Sequence, residues 1–278
     1  MLIDAHQHFW RLTDRAGHWP PPALAAIHRD FGHADLEPLL AQTGVTGTVL
    51  VQSLPTVADT LQLLQLAEQH PVVKGVVGWV DLLAADAPAQ ISALARHPKL
   101  KGLRPMLQDL PDTQWIAQAA LAPAIAAMQA HGLVFDALVL PKHLGPLLAF
   151  AQRHPDLPIV IDHAAKPEIA LGRLDPWRQD MATLAALPQV HCKLSGLLTE
   201  AGVHARASAL EPYVAHLFAT FGAERLIWGS DWPVLNLAAG YPGWLAMAQA
   251  LCRGRPGVDD THIAAIFGGN ARRIYHLD

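Results

Sequence analysis

Charged side chains are scarce in this chain. Asp, Glu, Lys and Arg make up 16% of its 278 residues while 51% are hydrophobic, which excludes intrinsic disorder. So little charge covers only a compact body with a large core. Cysteine is nearly absent: Cys192 and Cys252 are too few for a disulfide framework and have no other thiol nearby in sequence. Basic runs that could track a phosphate backbone are missing, and the formal net charge is −4, so no nucleic-acid partner is expected. The longest apolar stretch, Ala119–Met128, is ten residues and holds Pro123, against the roughly 18 that span a bilayer. Near the amino terminus stand Asp4, His6 and His8, where a signal peptide needs an apolar core. A cytoplasmic protein without membrane contact is the expectation.

What the chain does have is a regular alternation of short apolar, β-branched runs with segments of helical period. Eight such runs occur: Leu2–His8, Val45–Ser53, Val73–Asp81, Leu100–Leu107, Leu133–Leu140, Pro158–His163, Val190–Ser195 and Leu226–Asp231. Their starts lie 43, 28, 27, 33, 25, 32 and 36 residues apart, about one βα unit each, with no gap for a second domain. Helical stripes such as Val57, Leu61, Leu64 and Ala67, or Val214, Leu217, Phe218 and Phe221, offer apolar faces to a sheet. Helix ends are marked by His70-Pro71, His97-Pro98, His154-Pro155 and His131-Gly132, where His suits the negative end of the helix dipole and Pro or Gly stops the helix. Residues 1–278 therefore read as a single (β/α)8 barrel of the α/β class. The competing open doubly wound sheet lacks a Gly-rich phosphate turn after its first strand.

In this barrel, active sites are built at the carboxyl ends of the strands. Here those ends carry His6 and His8, Gln52, Asp81, His163, Lys193 with Ser195, and Asp231, while Arg104 and Asp136 lie within the fourth and fifth runs. His6 and His8, two apart on a strand, point to one face. With His163 and Asp231 they make a three-His, one-carboxylate set that can hold one divalent ion, zinc first, and leave room for water. The alternative is a set of hydrogen-bonded polar residues plugging the mouth.

The segments IDAHQHFW, GLRPMLQD, LPIVIDHAAKP, CKLSGLLTEAG, WGSDWPV and GGNARRIY, in this order along the whole chain, resemble the amidohydrolase superfamily, in the branch of small sugar lactonases that includes the L-fuconolactonases. The resemblance implies a (β/α)8 fold and hydrolysis of a sugar-acid lactone, of an L-fucono-1,4-lactone-like kind, to the open aldonate. It also implies that Asp231 handles the water proton, with His6, His8 and His163 around it and Arg104 as a substrate contact. Strand five reads Leu133-Val134-Phe135-Asp136, without a lysine for a bridging carbamate, so a binuclear centre is not expected. Some members of the branch work without metal, so the ion is optional.

Lactone opening needs a water nucleophile, a stabilised oxyanion and a proton for the leaving ring oxygen. Asp231 can serve twice, taking the proton and returning it, while His163 and its neighbours orient water or polarise the carbonyl. Lys193 either donates to the oxyanion or pairs with Asp136 or Asp231. Arg104, Gln52, His33 and Trp232 are the expected substrate contacts, Trp232 by stacking on the sugar ring. The connection 9–35, with Trp10, Trp19 and three successive prolines, is the candidate lid. A metal-dependent decarboxylase and a pyrone or muconolactone hydrolase are the competing activities. A small-molecule lactone is the expected partner, and a homo-oligomer is compatible with the sequence.

Overall fold

The computed structural model describes residues 1–15 and 17–278. Eight strands, β1 Ile3–Gln7, β2 Gly47–Val51, β3 Val73–Gly78, β4 Leu100–Leu103, β5 Val134–Ala137, β6 Ile159–Ile161, β7 Val190–Leu194 and β8 Leu226–Trp228, pair in parallel and in chain order. The first and last are drawn together just beyond β8, where Asp231 N–H donates to the His6 carbonyl and His8 N–H to the Trp232 carbonyl, each at 2.8 Å. The result is the (β/α)8 barrel that the eight apolar runs predict.

The outer helices are α1 His33–Thr43, α2 Val57–Gln69, α3 Ala87–Leu94, α4 Ala122–Ala130, α5 Leu144–Arg153, α6 Trp177–Ala185, the short α7 Leu197–Ala201, α8 Ala207–Phe221 and α9 Tyr241–Arg253. In α2 the Thr56 hydroxyl caps the first turn by accepting from Asp59 N–H, and Leu63, Leu64 and Ala67 are buried. Leu61, assigned to that stripe by its spacing, is 54% exposed. The helices α2, α4 and α5 stop at Gln69, Ala130 and Arg153, one residue before His70, His131 and His154.

Strand alternation separates two apolar layers. Ile3, Ala5, Val49, Val51, Val77, Val134, Val160 and Ile227 fill the barrel interior, whereas Leu50, Val76, Phe135, Ile161, Cys192 and Trp228 face the helices. The last helices, α10 Asp260–Ala264 and α11 Asn270–Ile274, bring Ala271, Tyr275 and Leu277 onto the interior layer and close the barrel floor. With the floor sealed, the opposite end is the open mouth. Both cysteines are free and buried. Among the described residues no helix is long and apolar enough to cross a membrane.

The connection after β1 folds back on itself. Trp10 and Phe31 exchange backbone hydrogen bonds at 2.9 Å, the Trp10 indole donates to the Arg29 carbonyl, and the buried Arg15 guanidinium donates to the hydroxyl and carbonyl of Ser53.

Candidate active site

Strict alternation along β1 would turn His6 to the same side as Asp4, away from the interior. The ladder with β2 instead shifts register between Asp4 and Gln7, a bulge of the kind that re-aims a side chain. Ala5 stays in the interior layer, Gln7 reaches outward to the Thr48 hydroxyl, and His6 and His8 both face the mouth. Close packing there depends on Gly229, where a Cβ would lie 2.8 Å from that of His6.

Three imidazoles converge on one carboxylate oxygen. Asp231 Oδ1 lies 3.7 Å from His6 Nε2, 3.3 Å from His8 Nε2 and 3.8 Å from His163 Nε2. His8 Nδ1 donates to the Val51 carbonyl at 2.7 Å, which leaves its Nε2 as a lone-pair donor for an ion or a proton. His163 Nδ1 bonds the Ser195 hydroxyl at 2.9 Å, fixing the ring from behind in the same way. Burial drives the His6 basicity well below the ordinary histidine range, and brings His163 down to about 4 against the attraction of Asp231 and Asp162. Both rings are therefore neutral near pH 7. Burial opposes ionisation of Asp231, but the surrounding imidazoles of His163, His8 and His6 outweigh it and hold the carboxyl below the usual range.

Such a donor set suits one divalent cation. The donor atoms of His6, His163 and Asp231 lie within 4.8 Å of one another, and His8 Nε2 stands 3.2 Å from His6 Nε2.

Below this layer lies a sealed ionic network. Lys193 Nζ is 2.5 Å from Asp136, 2.9 Å from Asp162 and 3.2 Å from His6 Nδ1, and it is fully buried. Although burial opposes its charge, Asp136 and Asp162 raise its basicity. Asp162 is ionised far below the ordinary carboxyl range despite burial, because Lys193, His6 and Arg104 face it. Asp136 is lifted to about 6 by burial, against the pull of Lys193. The Tyr275 hydroxyl, rising from the barrel floor, donates to Asp136 at 2.9 Å. Lys193 thus pairs with Asp136, one of the two partners expected from sequence, and with Asp162, which was not anticipated.

A cavity of about 210 Å³ opens over the cluster, lined in part by His8, Trp19, Arg104, His163, Lys166 and Asp231. Of the expected substrate contacts, Arg104 lines it. Trp232 does not: its ring is 2% exposed and packs edge-on against Phe9 and Phe31. The indole at the cavity wall belongs to Trp19, 40% exposed, from the connection 9–35. Gln52 is buried behind the wall, donating to the Arg104 carbonyl at 2.8 Å while its own carbonyl accepts from the guanidinium, so it holds Arg104 in place. His33 begins α1 and stacks on His70 at 4.0 Å between ring centres, lining a separate cavity with Asp59 and Arg15.

Two polar residues escaped the sequence reading. Parity could have found Asp162: Val160 points inward, so the residue two on does so too. Lys166 is reached by an unusual backbone, since His163, Ala164, Ala165 and Lys166 all have left-handed φ values of 50–60°. No spacing rule predicts such a turn in residues other than glycine.

A family model described as amidohydrolase matches residues 3–277. The chain is 58% identical to an L-fucono-1,5-lactonase of Burkholderia ambifaria, over 99% of this chain and 96% of that one. It is 36% identical to an L-fucono-1,5-lactonase of Burkholderia multivorans, over 100% of this chain and 96% of its relative. A crystal structure of an amidohydrolase from Burkholderia multivorans with bound zinc superposes with a TM-score of 0.91 at 37% identity, covering all of both chains.

Proposed function

The chain belongs to the amidohydrolase family, and from that premise we propose that it opens an L-fucono-1,5-lactone-type ring with Asp231 as the proton carrier. It is a lactonase, a hydrolase of cyclic sugar esters. The relatives' names favour a six-membered 1,5 ring over the 1,4 ring, a choice that the sequence alone leaves open.

Convergence of three imidazoles on the Asp231 carboxylate, at the floor of a cavity for one sugar ring, carries the assignment of roles. Water attacks the lactone carbonyl carbon and its proton passes to Asp231 Oδ. The tetrahedral alkoxide then collapses, the bond to the ring oxygen breaks, and Asp231 returns the proton to that oxygen as a hydroxyl. The new carboxylic acid ionises to the aldonate. His6, His8, His163 and Asp231 would hold one divalent ion, zinc by donor type, which when bound supplies a Lewis acid. Arg104, its orientation set by Gln52 and Asp162, hydrogen-bonds the substrate's oxygens from the cavity wall. Trp19 gives the ring an apolar face to rest on. Lys193 keeps its charge in the sealed network and acts through His6 and Asp162, not on the substrate.

A decarboxylase would require a clamp for a substrate carboxylate and is not favoured by the full-length lactonase relatives. Acid release from a panel of aldonolactones, corrected for spontaneous hydrolysis and repeated after chelation, tests the reading. L-Fucono-1,5-lactone is expected among the best substrates; a protein that opens no lactone of the panel would overturn it.

A further inference from the structure

We propose that Lys166 is a carboxylate-binding residue, its ammonium holding the anionic end of the open-chain aldonate as the ring opens; this rests on the lactonase reading above. The reaction turns a neutral ester into an anion beside Asp231, which is itself negative. Two anions in a confined site repel unless a cation faces them.

The charges of the cations already described are each paired with a carboxylate of the protein, although Arg104 keeps N–H groups for neutral oxygens of the substrate. Arg104 gives one guanidinium nitrogen to the Gln52 carbonyl and another to Asp162 at 3.3 Å; its Nε is buried and unpartnered among the described residues. Lys193 is sealed on Asp136 and Asp162. Lys166 is only half-buried, lines the cavity with Arg104, His163 and Asp231, and makes no ion pair within the described residues. Its backbone is held where it is at a cost. Four successive residues other than glycine, His163–Lys166, are left-handed, a conformation disfavoured by the clash of Cβ with the backbone, with Lys166 N–H bonded back to the His163 carbonyl at 2.8 Å. The turn sets His163 and Lys166 on the wall of one cavity, and strain of this sort persists where a site requires it.

Two variants and one ligand decide the matter. Asn tolerates a left-handed φ, so Lys166→Asn removes the ammonium while suiting the turn, and Lys166→Arg keeps a cation. Calorimetric binding of L-fuconate, which needs no turnover, should weaken about tenfold in Lys166→Asn, about 1.4 kcal/mol. Binding should return to within about threefold of wild type in Lys166→Arg, and KM for the neutral lactone should move much less than aldonate affinity. Unchanged aldonate binding in Lys166→Asn, equal losses for aldonate and lactone, or a wild-type protein that binds no aldonate would each overturn the proposal. Failure of the wild type to open lactones would instead remove the lactonase reading, and the aldonate titrations would still decide the role of Lys166.

Discussion

Asp4 accepts hydrogen bonds from both the backbone N–H of Ser230, at 2.8 Å, and the Ser230 hydroxyl, at 2.6 Å. The same carboxylate accepts from His6 N–H and from the Tyr241 hydroxyl, and Ser230 Oγ in turn accepts from Trp232 N–H. One buried side chain therefore ties His6 to both neighbours of Asp231, whose own φ of 60° is left-handed. Asp231 and His6 are tied together by this clamp behind the sheet, on the side opposite their contacts in the cavity.

Replacing Asp4 by Asn keeps the size but leaves only one acceptor oxygen: with its carbonyl toward the Ser230 and Tyr241 hydroxyls, its amide would face the Ser230 and His6 N–H donors, so stability should fall by about 1–3 kcal/mol. The deficit depends on pH. Burial raises Asp4 from 3.8 to about 6 against its hydrogen bonds, so the folded state binds that proton more tightly than the unfolded chain does. The associated stabilisation is complete below the unfolded value and is lost as pH rises through about 6. Asn lacks this term, and urea titrations should find the deficit smaller at pH 8 than at pH 5, on the order of 1 kcal/mol. A deficit that grows with pH would contradict the assignment.

The barrel was legible because parallel strands buried on both faces leave near-continuous apolar runs, and eight of them recur at βα spacing. His6, His8, His163 and Asp231 were legible because polar residues ending such runs have few structural uses. Backbone irregularity and tertiary contacts hid the rest. The left-handed turn at His163–Lys166 leaves no periodic trace and so hides the placement of Lys166, while the bonds that make Asp4 a clamp form only in the tertiary structure. Trp232 adjoins Asp231 in sequence, yet tertiary packing turns its ring onto Phe9 and Phe31, and the cavity receives Trp19 from the long connection.

Lys193→Met should be among the most damaging single changes outside the cavity. It would leave Asp136 and Asp162 buried without their shared cation, and breaking a buried pair from one side costs about 3–5 kcal/mol. Tyr275→Phe removes one hydrogen bond to Asp136 and should cost about 1–2 kcal/mol. Denaturant unfolding of the two variants should preserve that order; a Lys193→Met protein as stable as wild type would show that the network carries no such cost.

Metal content follows from the donor geometry. A cluster of three imidazoles and a carboxylate is present at the mouth, and on β5 the inward residue is Asp136, already committed to Lys193 and Tyr275, so among the described residues no second ion has a bridging ligand. Elemental analysis should find at most one tightly held divalent ion per chain. Exhaustive chelation should lower turnover, and one equivalent of zinc should restore it. Two tightly bound ions would refute the mononuclear assignment, and turnover untouched by chelation would recast the histidines as hydrogen-bonding groups.

Asp231→Asn and Arg104→Ala should separate proton transfer from binding. The amide keeps the shape of Asp231 and can still meet the imidazoles, but it cannot take a proton from water. Removing a general base typically lowers the rate about 10²- to 10⁴-fold, each factor of ten being about 1.4 kcal/mol, so kcat should fall by that amount while lactone affinity changes little. Arg104 lines the cavity, and if it holds the substrate before and during ring opening, as proposed, Arg104→Ala should raise KM as well as lower kcat. It also leaves Asp162 without one partner, so its melting temperature must be measured beside its kinetics. Near wild-type kcat in Asp231→Asn would remove Asp231 as the proton carrier. His8, 3.3 Å away by its Nε2, would then be the nearest remaining base, because Lys193 is sealed beneath the cavity and stays protonated.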